Sequence, residues 1–264
     1  MRVTFASDGG SGESNEDIVA AAGAVVVVLD GVSKWYTTES GCAHGTVWYV
    51  RQLSERILKH ANSDLSLPAA VGRAIEDVAR AHDGTCDLTH PWSPAATAVV
   101  LRETESCVEY LILADCVLVV ETSVGVTALT DTRLAELLRR VRHVDASEEL
   151  RQHLRDGLHR LRNHPDGYWV ASADPTAAAN AITGSIARGA IRRAALLTDG
   201  ASCLVDEYAQ ATWPRLLELG PEGLISEVRR CEKGDPDRVR WRRSKVHDDA
   251  TAALCDFRNP GSPM

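Results

Sequence analysis

The sequence predicts an α+β fold in which antiparallel sheets carry helices on their outer sides. Three observations lead there. Apolar runs rich in β-branched residues, over 18–29 and 190–198, read as buried strands. Residues 44–61 and 68–81 repeat apolar side chains at helical spacing. The two kinds of segment do not alternate one for one, and several strands follow each other across short turns. That order favours antiparallel pairing over a doubly wound parallel sheet.

Composition sets the outer limits. Of 264 residues, 44% are hydrophobic and 25% charged, ordinary for a globular chain long enough to bury a core without covalent staples. Against 29 Lys and Arg stand 37 Asp and Glu, a formal charge of −8. An acidic chain is poorly suited to neutralising nucleic-acid phosphates, so no nucleic-acid partner is expected. No apolar run approaches the roughly 20 residues that span a bilayer. The opening MRVTFASDGG lacks the apolar core of a signal peptide. The expectation is a cytoplasmic enzyme or binding domain with no membrane partner. Cys42, Cys86, Cys107, Cys116, Cys203, Cys231 and Cys255 are odd in number, and no two have CxxC spacing. This argues against a disulfide scaffold and against a cysteine zinc site, and for reduced, mostly buried thiols.

The elements follow in order. Residues 9–14 form a mobile Gly/Ser-rich loop, and 18–29 one strand that ends in Asp30-Gly31. The helix over 44–61 carries Trp48, Val50, Leu53, Ile57 and Leu58 at helical spacing. The helix over 68–81 opens with Pro68, whose fixed φ suits a first turn. Strands are expected over 95–102 and 108–114, then a hairpin over 117–121 and 125–129. The stretch 131–162 is helical and crowded with Arg and His. It reads as a solvated amphipathic face, with a cover that attracts an anionic substrate as the functional alternative. A strand over 190–198 ends in Asp199-Gly200, helices follow over 213–219 and 221–231, and Asp248-Asp249 opens a last strand over 250–257. Residues 1–258 are expected to form a single domain, and 259–264 a flexible tail.

The chemistry lies in carboxylates at strand ends. Asp30-Gly31 and Asp199-Gly200 close two apolar strands; Asn15-Glu16-Asp17 opens the first strand and Asp248-Asp249 the last. Carboxylates gathered on one rim repel, and a hard divalent cation such as Mg²⁺ or Mn²⁺ removes that penalty. Glycine after the aspartate lets the backbone turn sharply and bring its carbonyl to a metal. HExxH, GxSxG and GxxxxGK[ST] patterns are absent, which disfavours zinc hydrolysis, acyl transfer and P-loop chemistry. His44 and His90 read as structural hydrogen-bonding residues, the six tryptophans as packing residues, and Lys34 and Lys245 as solvated.

The ordered series NED (15–17), VVVVLDG (25–31), SPAATAVVLR (93–102), LADC (113–116), LLTDG (196–200) and DDAT (248–251) resembles the PP2C-type metal-dependent serine/threonine phosphatases over almost the whole chain. The segments GCAHGTVWYV and HPDGYWV are similar to those of bacterial, especially actinobacterial, members. The resemblance implies a four-layer α-β-β-α sandwich with a binuclear Mn²⁺ or Mg²⁺ centre at one end. By position it implies that Asp30 bridges both metals, that the Gly31 carbonyl binds one, and that Asp199 and Asp248 bind the other. Asp17 would hold metal-bound water with Glu16 beside it. Asp115 matches an aspartate that holds a third metal in several members, and Asp249 stands where many have Asn. The implied reaction is hydrolysis of phosphoserine or phosphothreonine monoesters by a water that the two cations activate, the substrate being a phosphorylated protein. Two departures stand out. The arginine that grips phosphate in many members is here Gly12, with Arg2 or an arginine from 131–162 as a substitute. The Gly-Asp-Ser turn is Ala114-Asp115-Cys116, and an alanine forced to positive φ costs about 1 kcal/mol or more, so a different local turn is expected. These departures keep two alternatives open, a phosphatase of a small phosphate ester and a phosphatase-like regulatory binding module.

Overall fold

The computed structural model describes residues 1–11, 14–32, 39–82, 84–142, 157–243 and 245–258, backbone only at 141 and 142. The strands are β1 (Arg2–Asp8), β2 (Asp17–Ala22), β3 (Val25–Gly31), β4 (Ala96–Glu103), β5 (Cys107–Leu113), β6 (Val117–Thr122), β7 (Gly125–Leu129), β8 (Ile182–Ala187), β9 (Ile191–Leu197) and β10 (Ala250–Asp256). The helices are α1 (Gly45–Ala61), α2 (Leu67–Ala81), α3 (Arg133–Arg142), α4 (Asp199–Asp206) and α5 (Trp213–Lys233). One sheet runs β2-β3-β4-β5-β8 and the other β1-β10-β9-β6-β7, with every neighbouring pair antiparallel.

Side chains alternate across a strand, and here both faces are covered. Val25, Val27 and Leu29 pack beneath α1 and α2 with Leu53, Ile57 and Ile75. Val26 and Val28 point the other way, into a layer shared with Val99, Leu101, Leu118, Val120, Leu196 and Cys255. Beyond the second sheet, Leu197 and Ala252 pack against Leu204, Leu217, Leu224 and Val228 of α4 and α5. The result is the expected order of helices, sheet, sheet, helices. Ser66 caps α2 by accepting the Ala69 N–H, and Thr212 does the same for α5 with Arg215. Gly220, at φ 68°, together with Pro221 breaks α5 into the two helices expected there. Among the described residues, no helix is long and apolar enough to cross a membrane.

Several boundaries differ from expectation. The run over 18–29 is a hairpin, turning at Gly23 (φ 58°) between β2 and β3. Continuous apolar sequence hid the turn, because both of its strands have neighbours on both faces. β1 and β8 were not expected; both are edge strands with mostly exposed side chains, so neither carries an apolar signal. Asp199-Gly200 is not a turn after a strand but the first step of α4. Of the helix expected over 131–162, the described residues include α3 and a 3₁₀ turn, His159–Leu161. Lys34, Trp35, Gly12, the 259–264 tail and the Arg- and His-rich residues 143–156 lie outside the described residues.

Candidate functional site

The alternation that fills the layer between the sheets also aims the acids. Val26 and Val28 point inward, and Asp30 continues their side of β3. Across the ladder it faces Asp17 on β2 and Thr97 on β4. On the other sheet, Thr198 follows inward-facing Leu196, and Thr251 precedes inward-facing Ala253. At this end of the sandwich the apolar filling therefore gives way to hydroxyls and carboxylates. The Thr198 hydroxyl donates to Asp17 Oδ2 at 2.8 Å, joining the two sheets. The Thr251 N–H donates back to Thr198 Oγ1 at 3.0 Å.

Close backbone approach brings in the remaining acids. Asp199 is the first residue of α4. A Cβ on Gly200 would come within 2.0 Å of the Asp249 carbonyl oxygen, so only glycine lets α4 start against the 248–249 pair. A Cβ on Gly31 would lie 2.5 Å from the Thr46 side chain and 2.9 Å from the Glu16 carbonyl, which accepts the Gly31 N–H at 3.1 Å. Neither glycine has positive φ among the described residues. Their service is proximity, not the sharp turn expected of them. Asp115 occupies the turn between β5 and β6, where the chain passes from one sheet to the other. Ala114 has φ 56°. The turn thus keeps left-handed geometry despite its alanine, contrary to expectation, and the buried methyl packs beside Ala95, Tyr168 and Val170.

The carboxyls are electrostatically strained. Burial, then Asp199, Asp17, Asp115 and Asp248, hold Asp30 well above the usual carboxylate range. Burial, then Asp115, Asp248 and Asp17, do the same to Asp199, whose carboxyl shares a hydrogen bond with Asp30. Asp199 is nonetheless exposed to solvent. Burial raises Asp115, and Asp131 and Asp248 add to it. Asp17 is pushed up to about 7 by burial, with Thr198 and Thr251 pulling it down and Asp249 and Asp248 pushing it up. Asp17 Oδ1 is buried and has no hydrogen-bond partner among the described residues. An all-oxygen, anionic, mutually repelling donor set with an orphaned oxygen fits hard divalent cations.

Other residues sort themselves around this cluster. Asp249 Oδ1 accepts the Gly10 N–H (2.8 Å) and Oδ2 the Glu16 N–H (2.7 Å), so Asp249 secures the chain leading into Asp17. Lys245, expected to be solvated, donates to Asp248 Oδ1 at 2.5 Å and lies close enough to Asp30 for the two charges to interact. Arg2 is not a phosphate clamp. It pairs with Asp256 six residues along β1 from Asp8, about 20 Å from the acidic end. Arg162 turns to the Ser93 carbonyl at 3.1 Å. His90 accepts the Trp92 N–H at 3.2 Å, the loop-packing role expected of it.

With this geometry, the architecture matches solved structures along nearly its full length. The serine/threonine phosphatase PstP/Ppp of Mycobacterium tuberculosis superposes with a TM-score of 0.62 at 16% identity, covering 98% of this chain and 99% of that one. This is the PP2C-type phosphatase fold. A PstP catalytic domain in complex with two manganese ions matches with a TM-score of 0.58 at 15% identity, over 97% of both chains. Stp1 of Staphylococcus aureus, also a serine/threonine phosphatase, gives 0.58 at 13% identity over 97% of this chain and 95% of its own. Neither a protein-family model nor a curated protein matches the sequence. The PP2C-type fold therefore persists here at identities where sequence comparison is silent.

Proposed function

We propose that this chain is a metal-dependent phosphatase that hydrolyses phosphoserine and phosphothreonine monoesters of proteins. The observation that carries this reading is the convergence of Asp17, Asp30, Asp115, Asp199 and Asp248 at one end of a PP2C-type sandwich, with Asp17 Oδ1 unpartnered. Asp30, the Gly31 carbonyl, Asp199 and Asp248 would hold two Mn²⁺ or Mg²⁺ ions, as PstP holds two manganese ions. Asp17 would hold metal-bound water, and Asp115 would hold a third ion. Bound there, the ions supply activation of a water nucleophile near neutral pH and positive charge for the phosphoryl oxygens.

The chain's own residues do the rest. Thr198 and the Asp249-anchored loop fix Asp17 so that it does not reorganise during the reaction. Exposed Asp199 leaves the cluster open to a bulky ester. Lys245 supplies a cation beside Asp248. The left-handed turn at Ala114 retains the local geometry whose expected loss had favoured a non-catalytic binding module. The seven free thiols fit a reducing compartment, in keeping with a bacterial cytoplasmic setting.

The test is hydrolysis of an aryl phosphate with and without Mn²⁺ and chelator. Asp30→Ala and Asp199→Ala are expected to lose at least about 100-fold in kcat. Full activity in both variants would remove the proposal. Rates on phosphopeptides against a panel of small phosphate esters then separate the protein substrate from the metabolite alternative.

A further inference from the structure

A second ligand cluster lies outside the carboxylate site, although the lack of CxxC spacing argues against a cysteine zinc site. Cys42 and His44 precede α1; His82 ends α2, and Cys86 follows it. No CxxC is involved. The spacing is Cys-x-His from one connection and His-x₃-Cys from another, so only folding brings the two halves together. The four ligand atoms all lie within 4.8 Å of one another.

The details are those of a built site. The buried His82 ring has its Nδ1 2.9 Å from the Val78 carbonyl oxygen. A carbonyl only accepts, so the proton of the neutral ring sits on Nδ1 and the lone pair on Nε2. That Nε2 is buried without a hydrogen-bond partner among the described residues. A histidine whose far nitrogen is fixed by a carbonyl and whose near nitrogen is vacant has the arrangement of a metal ligand. His44 Nδ1 lies 3.3 Å from Cys86 Sγ and 3.8 Å from Cys42 Sγ. Tetrahedral zinc, with bonds of about 2.3 Å to sulfur and about 2.0–2.1 Å to nitrogen, separates S and N ligands by about 3.5 Å. Backbone N–H groups of His44 and Ala43 reach Cys42 Sγ and Cys86 Sγ, each at 3.4 Å. The His44 ring stacks on Trp48 at 4.2 Å, which holds its orientation.

We propose that Cys42, His44, His82 and Cys86 bind a single structural zinc ion. Four protein ligands leave no open coordination position, so the ion is a clasp and not a catalyst. It ties the connection between β3 and α1 to the end of α2. Next to it, the Asp87 N–H donates to the Gly41 carbonyl at 2.7 Å, continuing the same seam. Thr46, two residues beyond His44, packs against Gly31, so the clasp braces the helix that backs the carboxylate cluster. The inference does not depend on the phosphatase reading.

The test uses the full chain purified under reducing conditions without chelator. Elemental analysis should find zinc at about one ion per chain, and Co²⁺ in its place should give a thiolate-to-cobalt charge-transfer band with tetrahedral d–d absorption. Cys42→Ser and Cys86→Ser should lose the band and the gain in Tm on zinc addition. Cys116→Ser and Asp30→Ala should keep both, which separates this site from the carboxylates. If the cysteine variants do not fold, the wild-type cobalt spectrum decides alone. Absence of the charge-transfer band with seven titratable thiols, or a Cys42–Cys86 disulfide in its place, overturns the proposal.

Discussion

Thr198 on one sheet donates its hydroxyl to Asp17 on the other at 2.8 Å, and receives the Thr251 N–H at 3.0 Å. Thr198→Val keeps the shape and removes both bonds, stranding a carboxylate oxygen and a buried N–H. A loss of about 2–3 kcal/mol in urea unfolding is expected, with weaker Mn²⁺ binding, and Thr198→Ser should restore most of both. Unchanged stability in the valine variant would show that the bond between the sheets contributes little.

The acidic cluster makes the metal-free protein pH-sensitive in an unusual direction. Asp17 titrates at about 7 when folded, above an ordinary carboxylate near 4. Between about pH 4 and 7 the folded chain therefore holds a proton that the unfolded chain has lost, and stability falls as pH rises. Thermal melts with chelator should show Tm declining across this window, less steeply in Asp17→Asn. Mn²⁺ should reverse the trend, and its affinity should rise with pH. A metal-free Tm that climbs from pH 5 to 7 contradicts the assignment.

Lys245 competes with any cation for Asp248. The pair is partly exposed, so its worth is at most about 1 kcal/mol. Lys245→Met should lower the half-saturating Mn²⁺ concentration by up to about five-fold and raise KM for an aryl phosphate while leaving kcat within about two-fold. A higher Mn²⁺ requirement would mean that Lys245 assists the metal site instead of opposing it.

Ala114 pays for its left-handed backbone with about 1–2 kcal/mol. Glycine would relieve that, but it would also lose a buried methyl worth about 0.8 kcal/mol and gain freedom in the unfolded chain. Ala114→Gly is expected to shift stability by less than about 1 kcal/mol and to retain activity. A drop beyond about 2 kcal/mol, measured by urea unfolding, would place the methyl's packing with Tyr168 and Val170 above the strain.

Much of the layer order was legible because burial periodicity is local. The alternation of Val25 to Leu29 and the helical spacing of Leu53 and Ile57 reflect one face meeting one neighbour. Edge strands β1 and β8 were invisible for the converse reason, since their exposed side chains carry no such pattern. The hairpin at Gly23 was lost inside a run that is apolar on both faces.

Sequence alone determined which residues are acidic, that they stand at strand ends, and in what order they come. Only the folded chain decided which of them meet. Asp17 and Thr198 are 181 positions apart, and their contact exists because two sheets stack with their polar ends aligned. His82 and Cys86 gain Cys42 and His44 as neighbours in the same way, through the packing of α1 beside α2. Periodicity is written along the chain, whereas a coordination sphere is assembled across it, and no spacing rule short of the fold brings those ligands together.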